Sequence, residues 1–174
     1  MDKIYESSDY LILARRRPAT RVVVTFSFFA EDGSPAKAFA DRAVADLGFA
    51  GVFVIAKHPH WCQTEDRNAV TEAVRSVVTD FPERVAYGVS KGGYSALSLG
   101  AAMGCQRVIA VSPQTVISDP GVPLRQDWAE AISARPIIRD QVADDLGSIT
   151  PEIVFDPFNA RDRKHVEYLQ ARRA

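Results

Sequence analysis

The chain has few of the residues that mark specialised classes of protein. Its 174 residues include two cysteines, three histidines and two tryptophans, and the formal net charge at pH 7 is −1. Cys62 and Cys105 are too few for a disulfide framework in a chain of this length, so we expect free thiols and a cytoplasmic location. The near-zero charge gives no general attraction to nucleic acid or to an anionic membrane, and we expect neither as a partner. No apolar run approaches membrane-spanning length, and the first residues do not resemble a signal peptide.

Apolar segments typical of buried strands recur along the chain. The composition, 47% hydrophobic and 25% charged, is that of an ordinary soluble domain, and the length suits a single domain over residues 1–174. The runs lack clean alternation, as in strands that are buried on both faces of a parallel sheet. About six strands are predicted, the first of them a short edge strand, over residues 10–14, 21–28, 51–56, 85–89, 107–111 and 152–155.

Helical segments separate these strands. Helices are predicted over residues 36–47, 64–79 and 91–103, and from Asp162 to the C-terminus. Strands that alternate with helices favour an α/β fold, here a three-layer, doubly wound and mostly parallel sheet. Residues 115–147 contain several breakers, and we expect a lid or an irregular insertion there, with short helices at 128–132 and 138–146. Within it, the Asp144–Asp145 pair is expected to lie on a solvated helix face.

Polar and aromatic side chains follow several of the predicted strands. Ligands of such sheets bind outside the carboxyl ends of the strands, so these side chains are candidates for contact with a substrate. The candidates are His58, His60, Trp61 and Gln114. A metal site at His58 and His60 is disfavoured, because proline separates them and no carboxylate partner is evident. We expect neither a metal nor a cofactor.

A glycine-rich turn follows the strand at 85–89. The segment Gly88-Val89-Ser90-Lys91-Gly92 joins this strand to a helix, which is the local context of a serine nucleophile on a sharp turn. Two other interpretations stay open at this stage. The segment suits a glycine-tolerant turn with an incidental serine, or a phosphate site at a helix N-terminus, although it fits neither the dinucleotide nor the Walker spacing.

The segment and two others together resemble the α/β-hydrolase-fold superfamily. The nearest likeness is to short, poorly characterised bacterial members that carry an elbow of the form Gly-x-Ser-x-Gly-Gly-Tyr-x-Ala-Leu. The same group tends to carry segments like Trp61-Cys62-Gln63 and Ser112-Pro113-Gln114. The resemblance covers about residues 20–170.

The resemblance implies a serine esterase-type hydrolase or an acyltransferase acting on a small-molecule ester or thioester. Ser90 would attack the acyl carbon. The oxyanion would be held by the backbone N–H of Lys91 and by one from Phe28 or Phe29. Asp162 is the nearest match for the acid, and Asp156 is the alternative.

The general base is the open question in this assignment. In the usual chain order the histidine follows one more strand, and this sequence has neither that strand nor that histidine. Three explanations remain: His165 substitutes as the base, the chain is a truncated form of a longer hydrolase, or it is a non-catalytic relative that acts as a binding or accessory protein. His165 could equally be a solvated or capping residue. The missing strand would leave residues 152–155 at a sheet edge, from which we expect a homodimer.

Overall fold

The computed structural model describes residues 1–27, 37–122, 124, 126–133 and 136–174. Seven strands form one sheet in the order β1-β2-β4-β3-β5-β6-β7. Their bounds are β1 Asp2–Glu6, β2 Tyr10–Arg15, β3 Arg21–Phe26, β4 Ala50–Ala56, β5 Glu83–Val89, β6 Arg107–Val111 and β7 Glu152–Val154. The helices are α1 Asp41–Asp46, α2 Arg67–Val78, α3 Lys91–Leu99, α4 Gln126–Ser133 and α5 Ala160–Arg173, with a 3₁₀ turn at Asp144–Leu146.

The strands from β3 to β7 run parallel to one another, and β1 and β2 complete one edge of the sheet as antiparallel strands. This arrangement confirms the predicted α/β fold with a mostly parallel sheet. The connection from β3 leads to β4 on one side, whereas β5 on its other side leads on to β6. The chain therefore diverges at the carboxyl ends of β3 and β5, which is where open α/β sheets bind their ligands.

Burial of the central elements explains why their sequences carry apolar runs without alternation. All seven residues of β4 are buried, and so are all nine residues of α3. Helix α2 is covered on one side only, and it buries Val70, Val74, Val77 and Val78 at helical spacing. Both cysteines are free, as expected, and both are buried.

Two parts of the chain differ from expectation, one at the edge of the sheet and one within residues 115–147. Strand β1 was not predicted, because its residues are exposed or half-buried, and it moves the strand at residues 10–14 from the edge to an inner position. The helix predicted over 138–146 is absent from the described residues apart from the 3₁₀ turn. Instead, side chains bind the backbone there: Gln63 Oε1 accepts hydrogen bonds from the N–H groups of Ile138 and Arg139, both at 2.7 Å.

No helix within the described ranges combines the length and the apolar character that a membrane crossing requires.

Candidate functional site

Backbone strain in the described part of the chain gathers at one edge of the sheet. Each strained residue lies in a connection that leaves the carboxyl end of β3, β4, β5 or β6, and the non-glycine residues with positive φ are Ala40, Trp61, Cys62, Ser90 and Ser112. Such conformations cost on the order of 1–3 kcal/mol each, and they cluster at functional sites. The carboxyl edge is therefore the candidate site.

Ser90 occupies the turn between β5 and α3. Its φ of 54° and ψ of −122° are unfavourable for a residue with a side chain, and the helix begins at the next residue. The Ser90 N–H donates to the carbonyl of Val111 at 2.8 Å, and its carbonyl accepts from the Tyr94 N–H at 3.1 Å. The turn is thereby fixed to β6 on one side and to α3 on the other.

The two glycines on either side of Ser90 allow α3 to approach the sheet. A Cβ atom on Gly88 would overlap the carbonyl oxygen of Gly92, and a Cβ atom on Gly92 would lie 2.5 Å from the carbonyl oxygen of Phe26. Real Cβ atoms do not come so close to backbone oxygens. Glycine is needed at both positions because the first turn of α3 packs directly on the ends of β3 and β5.

The Ser90 hydroxyl faces a side-chain amide. Ser90 Oγ donates to Gln114 Oε1 at 3.4 Å, and Gln114 Nε2 donates to the carbonyl of Ser112 at 3.4 Å. Gln114 is buried and follows the strained Ser112 at the end of β6. An amide oxygen accepts a hydrogen bond but does not take up a proton at neutral pH. This contact orients the hydroxyl without activating it.

The next residue in the chain after Ser90, Lys91, is buried. The residue is 8% exposed, and burial lowers the pKa of its ammonium to about 8. The side chain borders a cavity of about 10 Å³, roughly the size that holds one water molecule, together with Tyr10, Ser27, His60, Cys62 and Ser95. The backbone N–H of Lys91 was the first predicted oxyanion donor. Phe28 and Phe29, predicted for the second, lie outside the described residues.

The loop after β4 is held by His60. The imidazole Nδ1 accepts from the Cys62 N–H at 3.1 Å, so Nε2 carries the proton and donates to the carbonyl of Asp9, also at 3.1 Å. Trp61 is buried, with its ring centroid 5.7 Å from those of Tyr94 and Trp128. Both residues therefore pack inside the loop, whereas His58 is exposed.

No three His, Cys, Asp or Glu side chains in the described ranges gather as a metal ion would require.

Gln63, in the same loop, has a structural role that the sequence did not predict. Besides the two N–H groups it binds, its Nε2 donates to the carbonyls of Trp61 and Arg139 and to the hydroxyl of Tyr94, at 3.1, 2.7 and 3.2 Å. This buried amide joins the loop after β4 to the segment at 137–139. Its place in the Trp-x-Gln segment was the only signal.

His165 lies in the second turn of α5 and is fully buried. Its Nδ1 accepts from the Thr115 N–H at 3.2 Å, and the Thr115 hydroxyl donates to the His165 carbonyl at 2.7 Å. Burial lowers the pKa of the imidazole to about 4, so the ring is neutral with its proton on Nε2. Nε2 has no hydrogen-bond partner among the described residues. Nor does any hydrogen bond within that part of the chain join His165 to Ser90.

The two candidate acids lie at the end of β7 and the start of α5. Asp156 is exposed, and its Oδ1 accepts from the Phe158 N–H at 2.9 Å, which makes it a turn-forming residue. The backbone N–H of Asp162 is capped by Asn159 Oδ1 at 3.4 Å. The charge of Asp162 raises the pKa of His165, but burial of the ring is the larger effect. Across the described ranges, neither carboxylate is hydrogen-bonded to His165.

No protein-family model matches the chain, and no curated protein sequence matches it. Several solved structures are similar in fold. The capsule O-acetyltransferase of Neisseria meningitidis serogroup A superposes with a TM-score of 0.71 at 14% identity, covering 97% of this chain and 79% of that one. A lipase/esterase from Lactobacillus plantarum superposes with a TM-score of 0.56 at 9% identity, covering 95% and 81%. At these identities the similarity concerns the fold alone.

Proposed function

We propose that this protein, which has an α/β-hydrolase-like fold, transfers an acyl group from an ester or a thioester through Ser90. One observation carries the proposal: Ser90 is held at positive φ between β5 and α3, with glycines where the packing allows no side chain. In α/β-hydrolases the nucleophilic serine has this geometry, because the sharp turn lifts its hydroxyl out of the sheet. A strained serine at the divergence point of the sheet is a costly arrangement for a merely structural turn.

The reaction follows from the atoms at the turn. Ser90 Oγ would bond to the acyl carbon, and the C–O or C–S bond to the leaving group would break as that group takes up the proton released by the Ser90 hydroxyl. Water or an acceptor hydroxyl would then release the acyl group from Ser90. The Lys91 N–H lies in the first turn of α3, where backbone N–H groups lack helical partners, and it would donate to the oxyanion. Phe28 or Phe29 remains our proposal for the second donor.

The similar structures support both outcomes of this chemistry. One is an O-acetyltransferase, which has also been solved in a complex with CoA, and another is a lipase/esterase. Hydrolysis and acyl transfer share the acyl-serine intermediate and differ only in the group that receives the acyl chain. We therefore propose the common step and leave the acceptor open between water and a hydroxyl compound.

A second candidate function is that of a binding or accessory protein with an incomplete catalytic group. The observation that favours it is the hydrogen bonding of Ser90: within the described ranges its hydroxyl contacts Gln114, and no imidazole is bonded to it. Such a protein would bind the acyl compound at the same edge of the sheet without turnover.

Labelling with a fluorophosphonate tests the proposal, with mass spectrometry to locate the adduct. We expect a single adduct on Ser90 that is lost in Ser90→Ala. Ser112→Ala is the matched control, because it removes a serine hydroxyl at another positive-φ strand end and should leave the adduct in place. Because the described residues place no base in hydrogen-bond contact with Ser90, labelling should be slow and should accelerate with pH as the alkoxide fraction grows. A folded protein that gives no adduct would contradict acyl transfer and favour the binding function.

A further inference from the structure

We infer that His165 is a positioning residue that acts on Ser90 through Thr115 and Gln114. The inference deepens the proposed function of Ser90 and rests on it for its effect on activity. Three successive contacts carry it, from α5 to the end of β6 and from there to the serine.

The first contact fixes Thr115 to α5 through two hydrogen bonds. The Thr115 N–H donates to His165 Nδ1 at 3.2 Å, and its hydroxyl donates to the His165 carbonyl at 2.7 Å. Thr115 is 1% exposed and His165 is fully buried, so water does not compete for these bonds. One residue of α5 thus holds both the backbone and the side chain of Thr115.

The second link is covalent, because Gln114 directly precedes Thr115 in the chain. Gln114 is 3% exposed, yet the hydrogen bonds of its side chain to Ser90 and Ser112 are both 3.4 Å long. Bonds of this length are weak and do not fix an amide by themselves. Ser112, with its φ of 42°, also needs support from its surroundings to keep a strained conformation. The Ser112 N–H donates to the carbonyl of Val154 at 2.7 Å, and the anchor at Thr115 holds the other end of this short segment.

The third contact is the one between Gln114 Oε1 and Ser90 Oγ, which sets the direction of the hydroxyl. A displacement of a reacting atom by about 1 Å can cost about 100-fold in rate. Movement of Gln114 would therefore change the rate of reaction at Ser90, even though no hydrogen bond among the described residues joins His165 to the serine.

The hydrogen bonds of His165 exclude the role of general base for its ring in this arrangement. The lone pair of Nδ1 is engaged by the Thr115 N–H, and Nε2 carries the proton, so neither nitrogen is free to accept the proton of Ser90. The low pKa of the buried ring, about 4, agrees with a permanently neutral imidazole.

The test compares His165→Ala with His165→Asn, whose side-chain oxygen can still accept from the Thr115 N–H. The first readout is the ¹⁵N-labelled side-chain amide of Gln114, observed by NMR, which requires no catalysis. We expect its signals to shift or broaden in His165→Ala and to return in His165→Asn. Val166→Ala is the matched control, because Val166 is buried on the same helix but faces the groove beside β7. It should weaken packing and leave the Gln114 signals in place.

The second readout is the rate of fluorophosphonate labelling in a double-mutant cycle. We expect His165→Ala and Gln114→Ala each to slow labelling by about 10- to 100-fold. The double variant should be no slower than the slower single variant, since both changes act through the same contact. The pH profile should keep its shape in His165→Ala, because the ring is not the base.

Three results would overturn the inference: unchanged Gln114 signals in His165→Ala, rate losses that multiply in the double variant, or the loss of an ionisation from the pH profile. If His165→Ala does not fold, His165→Leu removes the Nδ1 acceptor with little change in volume, and unchanged Gln114 signals there overturn the inference equally. A native protein that is never labelled contradicts the proposed function, whereas the Gln114 signals still decide the inference.

Discussion

The two ends of the same parallel strands are built on different principles. At their amino ends, exposed ion pairs join the first residues of neighbouring strands. Arg21 of β3 lies 2.5 Å from Glu83 of β5, and Arg107 of β6 lies 2.6 Å from Glu152 of β7. At their carboxyl ends, buried polar side chains bind the backbone, and the strained residues of the described chain are found in the connections that follow.

This difference supports the proposal that the carboxyl edge is the functional one. Exposed ion pairs contribute roughly 0–1 kcal/mol each and require no unusual backbone. Positive φ at non-glycine residues and a buried lysine both lower stability, and proteins retain such features where function depends on them. We therefore expect substitutions at the carboxyl edge to have large effects on stability of either sign, and those at the amino edge to have small ones.

Gly88→Ala should give the largest effect. The new Cβ atom would overlap the Gly92 carbonyl, so α3 must move away from the sheet, and we expect a loss of about 3 kcal/mol in the free energy of unfolding. Gly48→Ala is the control from the amino edge, between α1 and β4. Gly48 has a φ of 75° but open space around it, so only the backbone cost of about 1 kcal/mol applies. Urea unfolding of both variants measures the difference, and equal losses would show that the approach of α3 is not tight.

Lys91→Met should stabilise the protein at neutral pH. Burial lowers the pKa of Lys91 from 10.5 to about 8, so the unfolded chain binds the proton more tightly than the folded one. Stability of the native protein therefore rises with pH between those two values, and the full penalty is present below about pH 8. Removing this penalty should increase the free energy of unfolding by as much as about 3 kcal/mol at neutral pH, and by much less near pH 10. If the stabilisation by Lys91→Met does not decrease as the pH rises, burial of the charged ammonium is not its cause.

Ser90→Gly should give a smaller gain, and it isolates the strain of the turn. Glycine adopts the φ of 54° without a steric penalty, so we expect about 1–2 kcal/mol more stability than in Ser90→Ala, which lacks the hydroxyl but keeps the Cβ atom. Thermal unfolding of the two variants gives the comparison. If they unfold at the same temperature, the turn stores no strain and the main support for the function of Ser90 is lost.

The central sheet could be predicted from the sequence because burial on both faces leaves uninterrupted apolar runs. The six expected strands are all present. Strand β1 could not be predicted in this way, because Asp-Lys-Ile-Tyr-Glu is only partly buried and becomes a strand by pairing with β2.

The environments of individual polar side chains depended on contacts that local sequence does not show. His165 is buried and accepts a hydrogen bond from Thr115, which is 50 residues away in sequence. Asp145 was expected on a solvated face, but its side chain is only 7% exposed and pairs with Arg67 at 3.3 Å and Arg139 at 2.8 Å. Sequence spacing therefore identified the turn at Ser90, whereas the partners of the histidine and aspartate candidates came only from tertiary packing.

Glu83→Gln, at the amino edge of the sheet, should have the smallest effect on stability. The Arg21 and Glu83 side chains are 33% and 51% exposed, so their charges are screened, and we expect a loss below about 1 kcal/mol. Added salt should reduce that loss further, since the Debye length is only about 3 Å at 1 M. Unfolding in urea at low and high salt measures both quantities. A salt-independent loss comparable to that of Gly88→Ala would mean that the amino edge contributes as much to stability as the carboxyl edge. The contrast between the two ends would then no longer support the proposed site.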